Sequence, residues 1–202
     1  MICGAEGCIN QRTCLTFRNQ SFFIQHCHAP SMTSLEIREL QKKIGYKFKD
    51  QKHLIRALTH PTFSEEERKK KVDPKDRPNQ QAYSTLGDAV LKTGLILVLM
   101  DKEKKTKGDI TISKADIENN LGLANVGKRL QLLENGLILH TIKNQKKLDE
   151  SSGKMYADTV EAIIAAIFID SKYSMKKTKK SIQKIFSQEL DELEKVTQLS
   201  VR

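Results

Sequence analysis

Leu86-Gly87-Asp88-Ala89-Val90-Leu91 is the stretch on which the reading of this chain turns, and Ala157-Asp158-Thr159-Val160-Glu161-Ala162 answers it 70 residues later. In both, an acid interrupts an otherwise apolar run with helical spacing. A carboxylate on an apolar helix is costly unless it is paired or binds a cation. Asp158 and Glu161 are three residues apart, so they share one helix face. Three acids brought together around a hydrated Mg²⁺ would suit phosphodiester chemistry.

Working outward, the apolar run containing Asp88 extends from Asn79 to about Met100 and predicts a long helix. It is apolar on all sides from Leu86 onward, which predicts burial in a core or a subunit interface. Thr33-x-x-Glu36 reads as a capping box that opens a first helix, with Leu35, Leu40 and Ile44 on one stripe and Gly45 at its end. A short helix over Asp50 to Leu58 follows, and Pro61 is expected to break the chain after it. Residues 64 to 78, with Glu65-Glu66-Glu67 and Lys69-Lys70-Lys71, read as a charged connection. Another helix starts near Asp109 or, with Ser113 as cap, slightly later. Ser151-Ser152-Gly153 reads as a turn, Tyr156 to Ile169 as an apolar helix, and Met175 to Val196 as a final amphipathic one. No alternating strand pattern is present, so the expected fold class is all-α.

The balance of 35 basic against 25 acidic residues, a net charge of +10, points to an anionic partner such as nucleic acid, or to a surface that serves solubility alone. Aromatic residues make up only 5% and Trp is absent, which argues against a single-strand reader that stacks bases. A Lys-rich, aromatic-poor chain better suits phosphate tracking and recognition of duplex shape. No membrane partner is expected, because no apolar run approaches the length of a membrane span.

Residues 1–32 differ from the rest. They hold all four cysteines, Cys3, Cys8, Cys14 and Cys27, and one acid, Glu6. His26 and His28 flank Cys27, but no spacing forms a zinc motif. The segment reads as an extension or as an acid-poor targeting leader. The expected compartment is the cytoplasm, or a mitochondrion or other organelle if the segment is a leader. Residues 33–202 read as the folded domain.

Four stretches, in order and in register, carry a family likeness: Thr59-His60-Pro61-Thr62-Phe63, the Leu-Gly-Asp run, Lys107-Gly108-Asp109-Ile110-Thr111 with Lys114-Ala115, and Ala157 to Asp170. Together they resemble the catalytic domain of ribonuclease III, over about residues 35 to 186. The resemblance implies an all-helical endonuclease domain that forms a homodimer and cuts double-stranded or structured RNA by Mg²⁺-dependent hydrolysis, with Mn²⁺ as an alternative ion. It places Asp88, Asp158 and Glu161 in the metal and catalytic site. It also implies a compact form, since no room is left after the last helix for a double-stranded-RNA-binding domain.

Departures from the family pattern bear on the same site. Ser84 stands where the family usually has Glu, four residues before the Asp of Leu-Gly-Asp; Gln81 and Lys107 replace two more acids, and Thr85 replaces an aromatic residue. Ser84 and Asp88 still share a helix face, so the Ser84 hydroxyl can act on a metal through water. The depleted site leaves a second reading, a catalytically inactive ribonuclease III-like protein that binds RNA or assists ribonucleoprotein assembly. Lys107, Lys114, Lys176, Lys177 and Lys180 are the candidate RNA contacts, against the simpler role of a solvated charged face. His60, next to Pro61, reads as a structural turn residue rather than a general base.

Overall fold

The structure is a computed structural model, and it describes residues 33–69, 78–101, 106–143 and 145–199. The extension at residues 1–32, with its cysteines, lies outside the described residues. Among the described residues there are nine helices: α1 (Ser34–Ile44), α2 (Gln51–Ala57), α3 (Pro61–Lys69), α4 (Gln81–Met100), α5 (Lys107–Glu118), α6 (Asn120–Arg129), α7 (Gln145–Asp170), α8 (Met175–Ile185) and α9 (Ser187–Leu199). The all-α expectation holds. The one β-type pairing described is a single parallel bridge between Thr59 and Leu139.

Several helix ends follow from their residues. Thr33 and Glu36 form the reciprocal capping box of α1, and Gly45 ends it in the left-handed conformation at φ 69°. Asp50 caps α2. Thr106, not Asp109 or Ser113, caps α5; Asp109 returns the bond as the third residue of the box.

Three expectations need correction. Pro61 opens α3 rather than ending structure: the first helical position needs no N–H, so the ring is tolerated there. Ser151-Ser152-Gly153 lies inside α7. Both hydroxyls bond back to carbonyls of the preceding turn, Ser151 to Lys147 and Ser152 to Asp149, so they do not compete with the helix. The expected last helix is two, because Phe186 leaves helical geometry and buries its ring completely.

α7 is the axis of the domain. It packs against α4, α6, α2 and α8, and α4 in turn packs against α8 and α5. Small residues set the crossings. A Cβ at Gly87 would overlap the backbone carbonyl of Glu161, one at Gly94 the Ile182 side chain, and one at Gly127 the Tyr156 side chain. The core between them includes Leu91, Leu95, Ile163, Ile164, Ile167 and Ile182, all nearly or wholly removed from solvent. By length and composition alone, α4 is apolar enough to cross a membrane, contrary to the sequence expectation. Its apolar residues Val90, Leu91, Leu95, Val98 and Leu99 are spent on the core of this chain. Of the run from Leu86 to Leu97, for which the sequence predicts burial in a core or a subunit interface, Val90, Leu91 and Leu95 are buried within this chain, and Leu86, Ile96 and Leu97 are only partly covered.

Candidate active site

The Thr59–His60 segment fixes one wall of the site. The Leu139 N–H donates to the Leu58 carbonyl at 2.8 Å, the His60 N–H to the Leu139 carbonyl at 2.9 Å, and the Gln80 N–H to the Thr59 carbonyl at 2.9 Å. The start of α4 is thereby tied to this segment. Gly87 lets α4 lie directly on α7, and that close approach brings Ser84 and Asp88 to the Asp158–Glu161 face.

The Ser84 hydroxyl donates to Glu161 Oε2 at 2.7 Å across the two helices. Glu161 is half-buried, and its carboxyl is held above the usual carboxylate range. Burial is the main cause; the charges of Asp88 and Asp158 add to it, and the Ser84 hydrogen bond opposes it. The three acids are thus close enough to feel one another. They do not close into a ligand set: among the described residues no three His, Cys, Asp or Glu side chains stand within metal-holding distance. Asp88 pairs instead with Lys92 at 2.8 Å and Asp158 with Lys154 at 3.1 Å, each one turn along its own helix. Convergence on one cation, expected from the sequence, is not seen among the described residues. These two lysines place positive charge beside the carboxylates. The donor set still fits a hard divalent ion: three carboxylates and a hydroxyl on adjoining helix faces, with one carboxylate destabilised mainly by burial.

An open cleft of about 370 Å³ runs along this seam, lined by His60, Pro61, Gln80, Gln81, Ser84, Thr85, Lys154 and Asp158. His60 accepts through Nδ1 from the Thr62 backbone N–H at 3.3 Å, with the Thr62 hydroxyl 2.9 Å away, and so caps α3. That matches the structural role read from the sequence. Burial and the neighbouring His140 lower its pKa.

Of the candidate RNA contacts, Lys107, Lys176, Lys177 and Lys180 are exposed. Lys114 is half-buried and bonded to Glu118 at 2.6 Å. Sequence reasoning missed Glu118, whose other carboxylate oxygen is buried without a partner among the described residues, and whose charge reaches Lys92. It also missed Lys92 and Lys154. Their i,i+4 spacing to Asp88 and Asp158 was a legible signal; Glu118 depends on the packing of α5 against α4 and carried none.

The family model described as Ribonuclease-III-like matches residues 50–190. The chain belongs to the ribonuclease III-like family. It is 30% identical over 164 residues to a Ribonuclease 3 of Natranaerobius thermophilus, an alignment covering 79% of this chain and 65% of the relative. To the Ribonuclease 3 of Clostridium tetani it is 32% identical, covering 67% of this chain and 54% of the relative. The chain thus spans between half and two thirds of the length of these curated relatives. Two solved structures of the nuclease domain of Campylobacter jejuni ribonuclease III superpose with TM-scores of 0.58 and 0.60, at 29% and 27% identity, over 75% of this chain and 99% and 95% of theirs. One of the two concerns flexibility in the region involved in dimer formation of that nuclease domain. The fold of this ribonuclease III-like domain is therefore that of a nuclease domain.

Proposed function

We propose that this chain is a divalent-metal-dependent endoribonuclease that cuts double-stranded or structured RNA as a homodimer, with the cytoplasm as its compartment. The observation that carries the reading is the close crossing of α4 and α7 at Gly87, which sets Ser84 and Asp88 against the Asp158–Glu161 face and lets the Ser84 hydroxyl bond Glu161 across it. Like charges gathered around a half-buried carboxylate are relieved by a cation. Asp88, Asp158 and Glu161 would hold Mg²⁺ or Mn²⁺. When bound, that ion supplies Lewis-acid activation of water and neutralises charge at the phosphate.

The chain's own residues do the rest. Ser84 orients Glu161 through its hydrogen bond and provides a hydroxyl where a water can be held. Lys154, exposed at the rim, draws the phosphate backbone toward the cleft. Lys107, Lys176, Lys177 and Lys180 extend the positive surface, whereas Lys114 is engaged with Glu118 and acts on the local field. In the dimer, Leu86, Ile96 and Leu97, still half-exposed on α4, would be covered together with Thr85 and Ala89.

The test is incubation of the full chain with a long RNA duplex and Mg²⁺ or Mn²⁺, beside Asp88→Asn and Glu161→Gln. Cleavage by the wild type and its loss in both variants is the expected result. A protein that binds the duplex with unchanged affinity in all three forms and cuts with neither ion would overturn the enzyme reading in favour of an RNA-binding descendant.

A further inference from the structure

Gln80 is among the residues that line the cleft, and it is 1% exposed. Its amide is incompletely bonded. The Thr159 hydroxyl is 3.0 Å from Oε1, while Nε2 has no hydrogen-bond partner among the described residues. Exchanging the two ends of the amide moves the orphan to the oxygen without removing it. A buried amide atom without a partner is uncommon and calls for a physical reason.

Two neighbours make that reason a ligand. Thr159 does not need Gln80, because its hydroxyl is also 2.7 Å from the Met155 carbonyl. Gln80 can therefore rotate its amide toward the cleft and leave no second orphan on Thr159. His60 lines the same cleft, and its Nδ1 already accepts from the Thr62 backbone N–H. The ring proton is thereby assigned to Nε2, the one ring nitrogen left to donate to a ligand. The backbone bonds through Thr59 hold His60 and Gln80 side by side.

Gln80 and His60 thus offer neutral groups: an imidazole N–H and an amide with both a donor and an acceptor. Lys154 and Asp158 line the same cleft and are paired with each other at 3.1 Å. A phosphate is best met by cations. A hydroxyl, which both donates and accepts, is best met by an amide beside an N–H. We propose that Gln80 and His60 form a ribose-reading site that recognises a 2′-hydroxyl of the RNA strand lying next to Asp158, and so distinguish RNA from DNA. This inference rests on the RNA-cutting reading above.

The experiment measures binding of the full chain to a 20-base-pair RNA duplex, to the DNA duplex of the same sequence, and to RNA duplexes carrying single 2′-deoxy substitutions. Ca²⁺ replaces Mg²⁺, and Gln80→Leu and Gln80→Met are measured in parallel with their thermal midpoints. For the wild type, one or two 2′-deoxy positions should each weaken binding about five- to tenfold, the loss of one hydrogen bond. In the Gln80 variants those positions should have no further effect, DNA binding should be unchanged, and the thermal midpoint should not fall, since a buried orphan has been removed. Sensitivity to the same 2′-deoxy positions that persists in the Gln80 variants overturns the inference, as does a wild type indifferent to every 2′-deoxy position while still binding duplex RNA. A wild type that binds neither duplex rejects the functional reading itself. The ligand-side substitutions keep the test decisive even if one Gln80 variant does not fold.

Discussion

The seam between α4 and α7 has two ends built on different rules. Toward the C-terminal part of α4, Leu91 and Leu95 belong to one apolar core with Ile164 and Ile167. Toward its N-terminal part, Gln80, Ser84 and Asp88 face Thr159, Asp158 and Glu161, with one orphaned amide, one strained carboxyl and two lysine-bound acids. Gly87 lies at the boundary. The apolar end supplies the free energy that holds the helices together, and the polar end uses that rigidity to keep like charges close. A site assembled by repulsive groups needs a scaffold that does not yield, and the contrast can be broken from either side.

The largest effect is expected at the boundary. Gly87→Ala places a methyl group on the Glu161 carbonyl, a backbone atom that cannot step aside. The variant should lose about 3 kcal/mol of stability, as overpacked helix crossings do. Denaturant unfolding at fixed pH measures it, and an unchanged midpoint would show that the two helices can separate freely. At the polar end alone, Asp158→Asn should lower RNA cleavage by about 100-fold or more. Its stability should not fall, because one of three mutually repelling charges is gone. A variant that is both inactive and markedly less stable would place Asp158 in the scaffold rather than in the site.

How much of this contrast was legible in the sequence depends on the length scale of the forces. The capping box of Thr33 and Glu36 and the glycine end at Gly45 are local and appear as read. The pairing of the Asp88 helix with the Asp158 helix was legible because burying an acid in an apolar run implies a purpose. Ser151-Ser152-Gly153 misled because local turn chemistry was outweighed by the packing of the rest of α7, and Phe186 because one buried ring ends a helix that its amphipathic pattern would continue. Glu118 and Gln80 were not legible as site residues. Their positions are set by α5 against α4 and by the Thr59 carbonyl, contacts that no spacing along the chain encodes.

The polar end can also be sharpened. Ser84→Glu adds a fourth carboxylate beside Glu161, so the affinity for Mg²⁺ should rise about tenfold while the affinity for RNA measured without divalent ions falls. Calorimetric Mg²⁺ titration checks the first, and an unchanged value would mean that the added carboxylate points away from the seam.

A pH series separates the ends without altering a contact. Glu161 holds its proton more tightly folded than unfolded. The stability it contributes is present below the unfolded carboxylate range and is lost as pH rises through the raised folded value. Glu161→Gln should remove that loss, making the variant more resistant to heat than the wild type at neutral pH but not at pH 4. Mg²⁺ should stabilise the wild type at neutral pH and less at pH 4. Equal stabilisation at both values would detach the cation from Glu161.

The smallest effect belongs to the lysines that occupy the acids. Lys92 and Lys154 sit on exposed helix faces, and such ion pairs add little to folding because water and salt screen them. Their charges matter more to a cation that must displace them. Lys92→Met together with Lys154→Met frees both acids and removes two positive charges from the neighbourhood, so the Mg²⁺ affinity should rise about two- to fivefold. The thermal midpoint without metal should stay near that of the wild type. Ionic strength supplies the control, since the gain should shrink as salt rises and the lysines of the wild type are screened from their partners. If the double variant binds Mg²⁺ no better at low salt, Asp88 and Asp158 are not the ligands, and the strain on Glu161 belongs to the scaffold after all.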